Sequence, residues 1–214
     1  MEVRVVMKTV LFAFFLSFCL AANSLASMVS ETFGFYAVTG NGTESSEIGE
    51  TQLFMDVIDS GSQTVLFRFR NTGPYMCTIS EIYFDSDSLL ALNQIQDTPD
   101  HVDFVPFARP NDLPGRQTLT PSFATSNDLS FEAISPTPKY GVNAGEQLEI
   151  LFDIQSNYND VINALSSGDL KVGTHVINFA NGKSESFVNE VPEPATTLLL
   201  LCGAVSLIRH RRKK

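Results

Sequence analysis

The sequence predicts an all-β fold, a single antiparallel β-sandwich of jelly-roll-like or immunoglobulin-like type with one short helix. Three observations predict it. Eight short runs within residues 27–190 alternate apolar and polar side chains, turn residues join neighbouring runs, and 13 of the 17 phenylalanines fall in this segment. An N-terminal signal helix (residues 1–26) and a C-terminal region with a hydrophobic helix (residues 191–214) flank this predicted domain.

The first region has the pattern of a secretory signal peptide. A short basic start precedes the largely apolar run 10–22, and Ser24 and Ala26 supply small residues for cleavage after Ala26. Thirteen helical residues cover roughly 20 Å, less than the roughly 30 Å hydrocarbon core of a bilayer, so a membrane-spanning helix is disfavoured. We therefore expect export through the Sec translocase and cleavage by signal peptidase. The signal is complete from either Met1 or Met7.

The strand pattern is strongest in 65–70 and 148–154, where every second residue is apolar and one face of each strand is expected to be buried. The turn signals are 59–62 and Asn181-Gly182, and the second pair suits the positive φ angles of a type I′ hairpin. Hairpins between sequential strands predict antiparallel pairing. The predicted strands are 33–38, 53–58, 65–70, 78–84, 129–133, 148–154, 172–179 and 186–188.

One helix is predicted, at residues 158–166, across one end of the sandwich. Its apolar side chains recur at the spacing of a single helix face, Asn157 suits the N-cap and Gly168 the C-terminal stop. Five of the ten prolines fall between Pro99 and Pro121, a stretch with few aliphatic residues. This composition predicts a long surface loop over the strands.

The last region has three parts in order. The segment Val191-Pro192-Glu193-Pro194 precedes 14 uncharged residues, 195–208, and a basic end follows. The apolar run partitions into the bilayer and the basic end resists translocation, which is the behaviour of a stop-transfer signal. The prolines favour an extended backbone that a processing enzyme can grip. The basic residues of the tail are Arg209, Arg211, Arg212, Lys213 and Lys214.

This C-terminal arrangement resembles the sorting signal of the bacterial PEP-CTERM proteins, in which a Pro-Glu-Pro tripeptide, an apolar helix and an Arg-rich end follow one another. The resemblance covers about 24 residues. It implies transient anchoring in the inner membrane, recognition by an exosortase, and removal of the tail near Pro192-Glu193-Pro194. It also implies delivery to the cell surface or the exopolysaccharide matrix of a Gram-negative bacterium. The alternative is an ordinary anchor that is never cut, although such an anchor needs about 20 apolar residues.

Charge and cysteine content exclude two classes of protein. Residues 27–190 carry 22 acidic against 7 basic residues, a net charge of −15, which repels nucleic-acid phosphates. Nucleic acid is therefore excluded as a partner. Cys77 is the one cysteine of this segment, so a disulfide scaffold is excluded as well.

Groups suited to catalysis are sparse. His101 and His175 are the two histidines of the predicted domain, and neither belongs to a nucleophile or metalloprotease motif. His175 is expected in or beside the core, on one face of its strand with Ile177 and Phe179. Cys77 is expected to be a buried structural thiol. These features predict a protein that is not an enzyme and needs no cofactor.

Two binding alternatives remain open. Asp85 and Asp87 follow a predicted strand and are the calcium candidates, because Ca²⁺ prefers carboxylate oxygens, although the spacing matches only the first two ligands of an EF-hand loop. Sugar binding is the other, since a β-sandwich often carries sugar sites. Four tyrosines offer stacking faces in the absence of Trp, and Tyr83 is expected to point away from Phe84. They are Tyr36, Tyr75, Tyr83 and Tyr140.

We therefore expect an exported structural or adhesive protein of the cell surface or exopolysaccharide matrix. The first alternative is a carbohydrate- or calcium-binding module at the same location, which a Tyr-lined groove or an Asp cluster would indicate. The second is a carboxylate-dependent glycoside hydrolase, which requires two carboxyl groups across a cleft.

Overall fold

The computed structural model of the protein describes residues 29–86, 88–96, 101–126 and 128–191. The predicted signal peptide with Ala26, the calcium candidate Asp87, the tripeptide after Val191 and the basic tail lie outside the described residues. The elements are β1 (Ser30–Phe33), β2 (Phe35–Ala37), α1 (Thr43–Gln52), β3 (Leu53–Gly61), β4 (Thr64–Asn71), β5 (Thr78–Asp85), β6 (Leu90–Gln96), β7 (Phe104–Pro106), β8 (Ser130–Ala133), α2 (Thr137–Tyr140), β9 (Gln147–Ile154), α3 (Tyr158–Ser167), β10 (Lys171–Ile177) and β11 (Glu185–Asn189).

These strands form two antiparallel sheets. The five-stranded sheet has the order β1-β3-β4-β9-β6, and the six-stranded sheet has the order β2-β11-β10-β5-β8-β7. The mainly β class and the antiparallel pairing predicted from the sequence are confirmed, and the arrangement agrees with a β-sandwich. Among the described residues, no helix is long and apolar enough to cross a membrane.

Phenylalanine rings from both sheets meet in the core. Phe67 of β4 and Phe152 of β9 lie in one sheet, and Phe84 of β5 lies in the other; all three are fully buried. The ring centroids are 5.2 Å apart for Phe67 and Phe84 and 4.8 Å apart for Phe84 and Phe152, with edge-to-face geometry. Such contacts add to the free energy gained by burying the rings. They fix how the two sheets face each other.

The predicted strand 33–38 is wrong in one respect, because the chain changes sheets inside it. β1 pairs with β3 in one sheet, while β2 pairs with β11 in the other, and Gly34 lies between them. The Gly34 carbonyl accepts a hydrogen bond of 2.9 Å from the Glu190 backbone N–H. The crossing point between the sheets is thereby tied to the residue that follows β11.

A turn joins β3 and β4, as predicted, but it lies two residues later than the predicted 59–62, because Asp59, Ser60 and Gly61 continue β3. β3 and β4 form a hairpin whose turn residues, Ser62 and Gln63, have φ angles of 50° and 60°, as a type I′ turn requires. The predicted type I′ turn at Asn181-Gly182 is wrong. Only Gly182 of that pair has a positive φ, and the connection between β10 and β11 spans residues 178–184. A loop of this length does not need two successive left-handed residues.

The predicted helix is confirmed as α3. Asn157 and Asp160 form a reciprocal capping box at its start, and Gly168 has a φ of 80° at its end. The expectation of a single helix is wrong, since α1 and α2 are also present. Helix α1 has no apolar stripe. It packs through Gly49, where an added Cβ would lie 2.1 Å from Cζ of Phe187.

The predicted surface loop between Pro99 and Pro121 is confirmed in part, because β7 (Phe104–Pro106) lies inside it and pairs with β8. Residues 107–126, here called the covering loop, cross the outer face of the six-stranded sheet and bury Ala108, Leu113 and Phe123 against Tyr83 and Val188. This second apolar cluster lies on the opposite side of the sheet from the phenylalanine core. The sheet is therefore buried on both faces where the loop covers it.

Candidate functional site

A polar cleft of about 540 Å³ opens beside the covering loop. One wall is residues 107–112, and the other is residues 124–126 and 128–130. We call it the loop cleft. The residues that line it are Phe107, Arg109, Asn111, Asp112, Thr125, Ser126, Asp128 and Ser130.

The first wall is tied to strand β8. The Phe107 N–H donates to the Ser130 carbonyl at 2.7 Å, and the Ala108 N–H donates to Ser130 Oγ at 3.1 Å. The Arg109 N–H donates to Glu132 Oε2 at 3.0 Å. Three successive backbone amides therefore bind one strand, and this holds the wall at a fixed distance from the sheet.

The second wall is tied to the end of β5. The Ser126 N–H donates to the Phe84 carbonyl at 2.8 Å, and Ser126 Oγ accepts from the Ser86 N–H at 2.8 Å. The Ala124 N–H donates to Asp85 Oδ2 at 3.2 Å, and that carboxylate also pairs with Lys171 Nζ at 2.8 Å. Strands β5 and β8 of the six-stranded sheet thus position both walls.

Two residues of the loop cleft have left-handed backbone. Phe107 has a φ of 71° and Asp128 a φ of 66°. This conformation is unfavourable for a bulky side chain and is often kept at functional positions. The Phe107 side chain is nevertheless 57% exposed. Packing therefore does not explain why this aromatic residue is held in a strained conformation at the cleft.

The polar side chains of the cleft include both hydrogen-bond donors and acceptors. Arg109 and Asn111 are exposed, as is Asp128. Asp112 pairs with Arg116, with 3.5 Å between Oδ2 and Nε. A guanidinium, an amide and two carboxylates at one cleft can bind a ligand that carries both donors and acceptors.

Beneath the first wall, Tyr83 connects the sheet to the covering loop. Its hydroxyl oxygen lies 2.8 Å from Glu81 Oε2 and 3.0 Å from the Pro110 carbonyl oxygen. Burial raises the pKa of Glu81, against the Tyr83 hydrogen bond, and neighbouring Glu132 raises it further. The Tyr83 hydroxyl can donate its one hydrogen to the Glu81 carboxylate or to the Pro110 carbonyl. Burial, with Glu81 beside it, also raises the pKa of Tyr83.

The two histidines of the predicted domain lie in different environments. His175 is half-buried, as predicted, and its Nδ1 lies 3.2 Å from Ser186 Oγ. Burial lowers the pKa of His175, opposed by the charge of Glu185, so the neutral imidazole is favoured. His101 is exposed. His175 therefore serves as a hydrogen-bonding group between strands.

Cys77 is a buried thiol, as predicted. Gln52 Nε2 lies 3.1 Å from its sulfur, and Asn71 Nδ2 lies 3.5 Å from it. Burial raises the pKa of Cys77 to about 11, although both hydrogen bonds act to lower it. The thiol is therefore protonated at neutral pH, and the thiolate that nucleophilic chemistry requires is disfavoured.

Asp85, one of the two calcium candidates, is committed to the ion pair with Lys171 and to the Ala124 amide. Its partner candidate Asp87 lies outside the described residues. Within the part of the chain that the structure describes, no three His, Cys, Asp or Glu side chains are grouped as a metal ion would need.

The four tyrosines proposed as stacking faces differ in their exposure to solvent. Tyr83 points away from Phe84, as predicted, but it is fully buried under the covering loop and is not a stacking face. Tyr75 is 58% exposed in the loop before β5, Tyr36 is 38% exposed in β2, and the ring of half-buried Tyr140 faces Lys139 Nζ. The exposed aromatic ring of the loop cleft is Phe107, which sequence reasoning missed because no strand or helix pattern marks it.

Comparison with protein-family models finds no match to this chain. Comparison with curated proteins finds none either. The likeness of the C-terminal region to PEP-CTERM signals therefore depends on the residues that carry it.

Proposed function

We propose that this chain is an exported protein of the cell surface or exopolysaccharide matrix of a Gram-negative bacterium, processed by an exosortase through its PEP-CTERM-type signal. Residues 27–190 form a single β-sandwich domain, and its role is structural or adhesive and non-enzymatic. The observation that carries the proposal is where the first and last strands along the chain lie relative to the two predicted cleavage sites.

Both predicted cleavage sites fall outside the segment from the first strand, β1, to the last strand, β11. β1 begins at Ser30, after the predicted cleavage at Ala26, and β11 ends at Asn189, before the tripeptide that starts at Pro192. The Glu190 N–H closes the last described backbone bond, to Gly34, and Val191 is 45% exposed. Removal of both ends would therefore leave every strand pairing of the two sheets in place, which is what a processed surface protein requires.

The non-enzymatic role is supported by what the reactive groups do. Cys77 is a protonated, buried thiol, His175 bonds to a neighbouring strand, and Asp85 anchors the covering loop. Each of these groups is occupied by structural contacts. An adhesive role needs instead a stable scaffold with exposed polar loops, and the covering loop with its cleft is of that kind.

The test is intact mass and cell fractionation in a host with its exosortase and in the same host lacking it. We expect a mature species that begins near Ser27, lacks the apolar tail and is recovered outside the cell only when the exosortase is present. A variant with Pro192→Ala and Pro194→Ala should keep its tail in the intact host. The matched control, Pro138→Ala in helix α2, should be processed normally. A tail retained in the membrane of both hosts would contradict the proposal.

A further inference from the structure

We propose that the loop cleft is a binding site for a neutral carbohydrate, with Phe107 as the apolar face and Arg109, Asn111 and Asp128 as partners for sugar hydroxyls. This inference gives the proposed adhesive role a ligand class, and it rests on that role for its biological setting. The geometry of the cleft carries it.

Phe107 supplies an exposed aromatic ring at the loop cleft. A pyranose ring has a face of C–H groups that packs on a flat apolar surface, and an exposed phenylalanine offers such a surface. Phe107 is 57% exposed and has left-handed backbone, which its N–H maintains by donating to the Ser130 carbonyl. Neither exposure nor strain improves folding. Both are expected where a ring is held out for a ligand.

The polar side chains of the loop cleft suit sugar hydroxyls. Each sugar hydroxyl is both a donor and an acceptor, so it is best satisfied by a site that offers both kinds of partner. The guanidinium of Arg109 and the amide of Asn111 donate, while the carboxylate of Asp128 accepts. Thr125 Oγ1, in the second wall, is buried without a hydrogen-bond partner among the described residues. A polar group of this kind calls for an explanation, and a ligand hydroxyl would provide a partner.

The charges at the loop cleft favour a neutral ligand. The charged side chains that line the cleft are Arg109, Asp112 and Asp128, and Arg116 pairs with Asp112. Two positive and two negative side chains therefore balance. The predicted domain as a whole carries 22 acidic and 7 basic residues. A polyanion is therefore repelled at long range and meets no excess of positive charge at the cleft. A neutral sugar has neither disadvantage.

Hydrogen bonds to the sheet hold both walls of the loop cleft in place. Association is weakened when a site must become ordered on binding. Here the first wall is bonded to β8 through three backbone amides, and the second wall is bonded to β5 and to Asp85. Leu113 anchors the covering loop against Gly173, where an added Cβ would lie 2.7 Å from a Leu113 methyl carbon. The cleft is thus formed before any ligand arrives.

The experiment uses the full chain, purified in detergent, against a panel of oligosaccharides. The neutral probes are hexasaccharides of β-glucan, mannan, galactan and xylan, and the acidic probes are oligomers of alginate and polygalacturonate. We expect binding to at least one neutral probe. Calorimetric titration of that probe should show that Phe107→Ala lowers affinity by about ten-fold, and Arg109→Ala should also weaken binding.

The matched control is Tyr75→Ala, which removes an aromatic ring of equal exposure elsewhere on the molecule and should leave affinity unchanged. Thermal unfolding checks that the variants fold alike. Binding of acidic probes alone, binding of none, equal affinity of the Phe107 variant, or hydrolysis of the bound probe would each overturn the inference. Binding by the purified chain is independent of sorting, so a failure of exosortase processing would not affect this result.

Discussion

Glu185 is a buried carboxylate that joins β11 to the segment after β2. Its Oε1 accepts hydrogen bonds from the N–H groups of Thr39 and Gly40 at 2.9 and 2.8 Å, and its Oε2 accepts from the Asn41 N–H at 2.7 Å. The Thr39 hydroxyl also donates to this carboxylate. Three successive backbone amides that converge on one carboxylate form a concave anion site, filled here by the protein itself.

Glu185→Gln is therefore expected to destabilise the protein by about 2 kcal/mol, because a carboxamide has one acceptor oxygen and places an NH₂ group against a backbone donor. Urea unfolding followed by circular dichroism measures the change. Glu47→Gln, an exposed position on α1, is the matched control and should leave the midpoint unchanged. Equal midpoints for the two variants would show that the buried carboxylate contributes nothing.

Glu81 gives the molecule a pH dependence. Burial and Glu132 raise its pKa in the folded state, so the folded protein binds a proton that the unfolded chain has already lost. Stability is then greatest below the ordinary pKa of a glutamic acid and falls as the pH rises from there through the raised folded value. We expect Glu81→Gln to remove this fall. Unfolding at pH 4 should be nearly unchanged, and at pH 7 the variant should be the more stable protein.

His175 acts in the opposite direction over a different window. Because burial lowers its folded pKa, stability is complete above the ordinary histidine pKa and falls as the pH drops from there through the lowered value. The two groups are therefore separable by unfolding curves taken at several pH values. A Glu81→Gln variant that kept the full decline toward neutral pH would contradict the assignment.

At the scale of elements, helix α1 depends on a missing side chain. An added Cβ at Gly49 would lie 2.1 Å from Cζ and 2.3 Å from Cε1 of Phe187, and that ring is fully buried in β11. Alanine favours helix by about 1 kcal/mol over glycine, but overpacking a core costs about 1–3 kcal/mol. We expect the steric cost to exceed the propensity gain, so Gly49→Ala should lower the free energy of unfolding.

A double-mutant cycle isolates this contact. Phe187→Leu replaces the ring with a smaller side chain. In that background, Gly49→Ala should lower the free energy of unfolding much less than it does in the native chain. Thr51→Ala, exposed on the same helix, controls for propensity and should be close to neutral. Equal costs of Gly49→Ala in both backgrounds would mean that the helix does not dock through Gly49.

The same elements show what a sequence can predict. Strands with one buried face, such as β4 and β9, and helix α3 with its capping box carry their structure in local periodicity. Helix α1 was missed because its contact is a glycine rather than an apolar stripe. Edge strands β6 and β7 were missed because apolar and polar residues do not alternate regularly in β6 and because β7 has three residues. The loop cleft was missed for a related reason, since its residues are brought together only when the covering loop packs on the sheet.

At the scale of the whole molecule, the described residues share one continuous phenylalanine core between two sheets. The rings of Phe67, Phe84, Phe131 and Phe152 contact one another across the sheets, so neither sheet buries its inner face alone. At Gly34 the chain passes directly from β1 in one sheet to β2 in the other, so the two sheets are also linked covalently. The two sheets are therefore expected to unfold together as one cooperative unit.

A trimmed chain tests the predicted domain boundaries, 27–190. A chain trimmed to residues 27–191 retains every described strand, so it should unfold in a single transition with the same midpoint whether followed by far-ultraviolet or near-ultraviolet circular dichroism. Phe84→Ala removes the ring that contacts both sheets, so it should lower the free energy of unfolding by about 3–5 kcal/mol. The midpoints from the two signals should fall together. Leu113→Ala, which loosens only the covering loop, should leave the two probes coincident but speed amide exchange at Phe107 and Ala108. Two separate transitions in the trimmed chain would show that the sheets are independent units, and the single-domain prediction would then be wrong.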